Sequence, residues 1–210
     1  MTTVIFVDSR LRTAVAQASH SARSGAPQPL QSVGASLEYA GAVARVLGNF
    51  KDGGRTDAAG ALVAPLRAAV AAALADVHTE KRARTRSGVH LVTVPGTAAA
   101  WRARGYHPVE LVLARAGLAA TGVLRLTAQT RDQVGLRRSE RIANKTGSLR
   151  ARRNLTGLHC VIVDDILTTG ATVLEARRAV TAAGGQVCGI AALAQTRRRL
   201  PDAQNSSESH

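Results

Sequence analysis

Apolar and polar positions alternate between two periods along this chain, and the second half does so most regularly. A short apolar strand spans Val89 to Val94 and is followed by a turn at Pro95-Gly96-Thr97 and an arginine-bearing segment that ends at Gly105. Pro108, suited to a first helical turn, opens a helix with Val109, Val112, Leu113 and Ala116 on one face, and Gly122 precedes a strand near Val123 to Thr127. That pattern predicts one βαβ unit. A second comprises a strand from Leu158 to Asp164, a helix from Ala171 to Ala183, a turn at Gly184-Gly185 and a strand from Val187 to Ala194. Strands alternating with helices predict an α/β fold: a Rossmann-like parallel sheet with helices on both faces and ligands at the carboxyl ends of its strands.

Upstream, the register Leu37, Ala40, Val43, Ala44, Leu47, Phe50 predicts a helix that stops at Gly53-Gly54, and a second, alanine-rich helix is expected from Pro65 to Val77. Residues 1 to 35 have weak periodicity and end in a Ser/Gly/Pro-rich stretch, so they read as a poorly structured lead-in. The long charged segment from 129 to 147 is expected to be a functional lid or disordered, and residues 197 to 210 a disordered tail. The domain is therefore expected to span residues 36 to 196.

Composition adjusts this picture in three ways. Twenty-eight Lys and Arg against fourteen Asp and Glu give a net charge of +14, which favours anionic partners such as polyphosphates or nucleic acid. A GC-rich genome would account for part of the same excess. Phe6, Tyr39, Phe50, Trp101 and Tyr106 are the only aromatics, too few for a base-stacking groove along a single strand. Cys160 and Cys188 both fall in expected strands, where two small buried hydrophobes are favoured over a disulfide, and no cluster of His and Cys offers a zinc site, so no protein-held metal is expected. With no basic leader at the start and no run of about eighteen consecutive apolar residues, the protein is expected to be cytoplasmic, with no membrane partner.

The most informative chemistry lies at residues 161 to 172, Val-Ile-Val-Asp-Asp-Ile-Leu-Thr-Thr-Gly-Ala-Thr. A strand runs into two adjacent carboxylates and then into a Thr/Gly-rich turn that opens a helix, an order built to hold a sugar phosphate. Asp164 and Asp165 offer acceptors to the vicinal hydroxyls of a ribose. The backbone N–H groups of Thr168, Thr169, Gly170, Ala171 and Thr172 converge on a 5′-phosphate at the positive end of the helix. An ordinary capped α/β turn is the bland alternative. Neither a Walker loop nor a dinucleotide loop is present, so the expected ligand is a ribose 5-phosphate donor.

This stretch resembles the phosphoribosyl pyrophosphate (PRPP) loop of type I phosphoribosyltransferases. Further blocks in the same order are similar to the ComF family, a competence-associated branch of that fold. These are Leu37-Glu38-Tyr39-Ala40-Gly41 with Lys51-Asp52-Gly53, Val92-Thr93-Val94-Pro95, Arg102-Ala103-Arg104-Gly105-Tyr106, and Gln133 through Arg137, Arg141 and Asn144. The resemblance implies a type I phosphoribosyltransferase fold and a PRPP-binding protein, with Mg²⁺-dependent transfer of a phosphoribosyl group and release of pyrophosphate, the acceptor being unknown. It implies that Asp164 and Asp165 hold the ribose and that the turn at Pro95, Gly96 and Thr97 holds the pyrophosphate. Mg²⁺ is then bound mainly through PRPP itself. Arg102 and Arg104 either neutralise the leaving group or form a solvated basic loop, and Lys51 either reaches the pyrophosphate or, the favoured reading, is a solvated residue at a helix end. Arg131, Gln133, Arg137 and Arg141 belong to the mobile loop of the resemblance, which either closes over the ligand or, with Lys145, Arg150, Arg152 and Arg153, forms a basic belt for nucleic acid.

Two departures accompany the resemblance. Family members commonly carry an N-terminal four-cysteine zinc ribbon, whereas residues 1 to 35 contain no cysteine, and the usual Gly-Phe-Asn-Gln appears as Gly105-Tyr106-His107-Pro108. Two functions therefore remain open: a phosphoribosyltransferase, favoured by the intact acid pair and Thr-Thr-Gly-x-Thr turn, and a non-catalytic module for competence and DNA uptake. The latter would bind single-stranded DNA or competence proteins.

Overall fold

The computed structural model of the protein describes residues 5–6, 32–75, 88–127 and 146–196. Strands β1 (Ile5–Phe6), β2 (Ser32–Glu38), β3 (Val89–Thr93), β6 (His159–Leu167) and β7 (Gln186–Gln195) form one sheet in the order β1-β2-β7-β6-β3. β2, β7, β6 and β3 run parallel, and β1 lies antiparallel on the edge. Helices α1 (Gly41–Asp52), α2 (Ala59–Ala75), α3 (Ala98–Arg104), α4 (Pro108–Arg115) and α5 (Ala171–Ala182) connect them. Strands β4 (Leu124–Leu126) and β5 (Leu149–Ala151) make a separate antiparallel ribbon.

Period-two alternation in the central strands splits the core cleanly. Cys160 and Ile162 of β6, with Ile190 and Ala192 of β7, face α5 and the ribbon. Val161 and Val163, with Ala191 and Leu193, face α1, α2 and α4. Each large aliphatic side chain fully removed from water on these faces contributes about 1.5–3 kcal/mol. Helix α2 lies against the sheet with little between backbones: a Cβ at Gly34 would stand 2.5 Å from the Ala69 carbonyl oxygen, and one at Gly189 2.5 Å from that of Ala73. Thr56–Leu74 is long and apolar enough by composition to cross a membrane. In this fold Leu62, Leu66, Ala69 and Ala73 of that stretch are core residues.

Several sequence expectations are corrected. The stretch from Ser32 to Glu38 is a strand of the parallel sheet, where the pattern predicts a lead-in passing into a helix. Its alternation is hidden because the face turned to α2 carries Gly34 and Ser36, and Ser36 Oγ donates to the Pro65 carbonyl at 2.5 Å. Pro65 does not open α2 but lies inside it. The carbonyl that an N–H at 65 would have served belongs to Ala61, an exposed residue, which places the lost bond at the solvent side of the helix. The strand near Val123 is present, yet it leaves the main sheet: Ala120 alone bridges Leu91, and β4 pairs with β5, which the pattern did not reveal. The ribbon is fastened to α5 by one acid. Glu175 Oε1 accepts from the Leu149 N–H at 2.9 Å, Arg178 bonds both carboxylate oxygens at 2.7 and 2.8 Å, and Arg178 also donates to the Leu149 carbonyl at 2.8 Å. The expected charged loop at 129 to 147 falls largely outside the described residues, as does the tail from 197.

Candidate functional site

Strand β6 does not end at its acids. It continues through Asp164 and Asp165 to Leu167, so both carboxylates are mounted on rigid sheet at its carboxyl edge. Each also braces the backbone that follows it. Asp164 Oδ1 accepts from the Asp165 N–H at 2.9 Å, and Asp165 Oδ1 accepts from the Ile166 N–H at 2.8 Å. Residues 168 to 170 then turn, Gly170 at φ 77° enters the left-handed region, and α5 begins at Ala171 with no side-chain cap. Only glycine takes that dihedral without strain, and it lets the chain pass directly from turn to helix amino-terminus. Thr169 Oγ1 lies 3.4 Å from the Ala171 nitrogen, a long approach within the turn.

A cavity of about 360 Å³ opens over this edge. Asp164, Asp165, Ile166, Thr168 and Thr172 form one wall; Thr93, Val94, Pro95 and Gly96 form the next, at the end of β3. Lys51, Trp101, Arg104, Tyr106, His107 and Glu110 close the remainder. Thr97 caps α3 by accepting from the Ala100 N–H at 3.1 Å, and Thr93 Oγ1 donates to Glu110 Oε1 at 2.9 Å. The His107 ring lies over Gly96: a Cβ there would stand 3.6 Å from Nδ1.

Lys51 is not the solvated helix-end residue that the sequence favoured, but lines the cavity. It occupies the last turn of α1, where the helix dipole favours a cation, and its Nζ stands 2.7 Å from Asp165 Oδ2. The residues on either side of it hold this arrangement. The Tyr106 hydroxyl donates to the Phe50 carbonyl, their rings pack at 5.7 Å, and Arg104 reaches Asp52 at 3.4 Å. A Lys-Asp-Gly turn at a helix end and an Arg-Gly-Tyr segment about fifty residues away are thus joined at this edge; the sequence marked both blocks by their family resemblance, but not their contact with each other.

Electrostatics single out Asp164. Burial first, and the neighbouring Asp165 charge second, push the Asp164 carboxyl up from its ordinary value to about 7, against an opposing pull from Lys51. At Glu175 burial acts upward as well, but the Arg178 and backbone hydrogen bonds outweigh it and lower the carboxyl.

The remaining expected site residues divide. Thr169, Gly170 and Ala171 build the turn itself, and Thr168 and Thr172 line the cavity. Pro95, Gly96 and Arg104 are on its walls, whereas Arg102 is exposed on α3 and is not among them. Arg131, Gln133, Arg137 and Arg141 lie outside the described residues. Arg150, Arg152 and Arg153 line a different, open hollow of about 730 Å³ beside Arg178 and the carboxyl-terminal half of α5. The acid-pair cavity adjoins the other end of that helix.

With this geometry in place, comparison with known proteins is specific. A family model described as "Phosphoribosyl transferase domain" matches residues 36–207. A segment of 57 residues is 42% identical to an orotate phosphoribosyltransferase of Pyrobaculum aerophilum, covering 27% of this chain. The aligned segment spans 30% of that enzyme's length, less than a third.

Proposed function

Because the chain belongs to the phosphoribosyl transferase domain family, we propose that it binds PRPP in the acid-pair cavity and transfers its phosphoribosyl group to a nitrogen acceptor. The observation that carries this reading is that Asp164 and Asp165, the Thr168–Thr172 turn and the Pro95-Gly96 turn meet around one hollow. Three ligand parts then have three partners. The ribose hydroxyls donate to the acids, the 5′-phosphate takes the amino-terminus of α5, and the pyrophosphate lies over Gly96 within reach of Lys51 and Arg104.

In the reaction an acceptor nitrogen uses its lone pair to bond C1′, the bond from C1′ to the pyrophosphate oxygen breaks with its electrons leaving on that oxygen, and the acceptor loses its proton to water. No covalent enzyme intermediate is needed. Catalysis rests on holding the two partners in line and on cations placed where the leaving charge develops. Mg²⁺ would be held mainly by PRPP oxygens, with the carboxylate oxygens of Asp164 and Asp165 beside it, and would supply neutralisation of the pyrophosphate charge. Lys51 and Arg104 add to that neutralisation from the protein side, and the acids fix the ribose.

The finer assignment to the ComF branch belongs to the same reading and is supported by the four sequence blocks, of which the Lys51 and Arg104–Tyr106 blocks meet at the cavity. A cytoplasmic setting, where PRPP is available, fits it. A second reading, nucleic-acid handling in DNA uptake, is favoured by one observation: the arginine-lined hollow at the far end of α5. Incubation with PRPP and Mg²⁺ over a panel of nucleobases and amines, followed by assay of pyrophosphate, tests the first reading. Acceptor-dependent release is the expected result, and silence across the panel with PRPP bound favours the second.

A further inference from the structure

Lys51 sits between two fastenings. Phe50 before it and Asp52 after it each meet a residue of the segment that closes α3: the Tyr106 hydroxyl donates to the Phe50 carbonyl, and Arg104 reaches Asp52 at 3.4 Å. Gly105 makes this double contact feasible. At φ 76° it ends α3, with its N–H donated to the Trp101 carbonyl at 2.7 Å, and it turns the chain so that the residues on both sides of it reach the same end of α1. The last four carbonyls of a helix have no partner within it, so the Tyr106 hydroxyl fills at Phe50 a bond that α1 cannot make for itself. Phe50 is buried, and its ring packs on that of Tyr106 at 5.7 Å, which gives this helix end a fixed place in the core. Burial also raises the Tyr106 hydroxyl above its ordinary value, so it stays a donor at neutral pH.

From these contacts we infer that Tyr106 is a positioning residue for Lys51, its hydroxyl fixing the backbone from which the ammonium reaches the acid pair and then the pyrophosphate. The inference rests on the phosphoribosyl-transfer reading and adds to it a residue that acts through another. Lys51 is the last residue but one of α1, and helix ends fray unless they are held. Its four-carbon stem is flexible, so Nζ is placed no better than the backbone that carries it. A single side chain that leaves Asp165 for phosphate oxygens needs both partners within its sweep, which a fixed base secures and a loose one does not. Misplacement of a binding group by about 1 Å costs up to about a hundredfold in rate.

Tyr106→Phe keeps the ring and removes the donor, so packing and positioning separate. Calorimetry titrates PRPP with Mg²⁺ into the full chain, Tyr106→Phe, Lys51→Gln and the double variant, and thermal melts record the fold of each. The expected result is a loss of PRPP affinity of about two- to tenfold in Tyr106→Phe, the worth of one neutral hydrogen bond, and no further loss when the substitution is added to Lys51→Gln. A hydroxyl that served stability alone would not depend on the residue at position 51. No loss of affinity in Tyr106→Phe, or a comparable loss in both backgrounds, would overturn the positioning role while leaving PRPP binding intact. A Tyr106→Phe chain that fails to fold would assign the hydroxyl to the fold and overturn it as well. Absence of heat from the parent would overturn the PRPP reading beneath it and the positioning role together.

Discussion

Lys51 Nζ stands 2.7 Å from Asp165 Oδ2, so the acid pair is partly neutralised by a cation delivered from the end of a helix. The same acid is needed by ribose hydroxyls in the proposed complex. Ligand entry therefore exchanges partners: hydroxyls take the carboxylates, and the ammonium is released toward phosphate oxygens. Lys51→Gln is expected to weaken PRPP binding about ten- to a hundredfold, the worth of one charge-assisted hydrogen bond, and Lys51→Arg to keep part of it. Calorimetric titration of the three proteins checks this, and equal affinities would show that Lys51 serves only the empty site.

The acid pair should also leave a mark on stability. Asp164 is held at about 7, above its ordinary 3.8. An acid whose folded pKa is raised stabilises the fold fully below its unfolded pKa, and that contribution is lost as pH rises through the folded value. Asp164→Asn removes the ionisation. Melting temperatures of variant and parent should be close near about pH 4 and diverge in favour of the variant near about pH 8, while PRPP binding falls. A variant less stable than the parent at the higher pH would contradict the assigned cause.

Close approach of α2 to the sheet gives a steric prediction. Gly189→Ala places a methyl 2.5 Å from the Ala73 carbonyl oxygen, closer than such atoms tolerate. Since that oxygen belongs to a helix backbone, the helix must shift, at about 1–3 kcal/mol for overpacking. Thermal or urea melts measure the destabilisation, and an unchanged midpoint would mean that α2 sits farther from β7.

Glu175 fastens the ribbon through hydrogen bonds shared with Arg178 and Leu149. Glu175→Ala leaves the Leu149 N–H without its acceptor and is expected to cost about 1.5–3 kcal/mol. Hydrogen exchange should rise first at Leu149 and along β5 if the ribbon is released locally; uniform exchange across the chain would place the destabilisation in the global fold instead.

Legibility of the fold in sequence followed burial. β6 and β7 are apolar runs and α5 has a regular apolar stripe, all set between glycine turns, and their positions emerge from pattern alone, including the turn between Asp165 and Thr172. β2 does not, because close backbone approach to α2 demands glycine and serine where alternation would need larger residues. β4 and β5 are short, and they owe their place to Glu175, a residue distant from β4 in sequence. At the cavity, residues on contiguous turns lie together as their order in the sequence implies, whereas the placement of Trp101 and the pairing of Lys51 with Asp165 had no signal in the sequence. Each acquires its meaning from an element that only the tertiary fold brings to the cavity.

If the second hollow serves nucleic acid, it grips phosphates, since no aromatic side chain lines it among the described residues. Neutralising Arg150, Arg152 and Arg153 together should lower the salt dependence of single-stranded DNA binding by about one unit of slope for each arginine that pairs with a phosphate, without altering PRPP affinity. Filter binding across a salt series decides. Parental slope in the triple variant would assign the arginines to solubility.

The central claim, a PRPP site built on the acid pair, is tested most directly by calorimetric titration of PRPP into the parent and Asp165→Asn proteins, with and without Mg²⁺. Saturable binding by the parent that strengthens with Mg²⁺ and falls about ten- to a hundredfold in the variant is the predicted result. Titration curves that are the same for both proteins, or no heat from the parent at all, would contradict it.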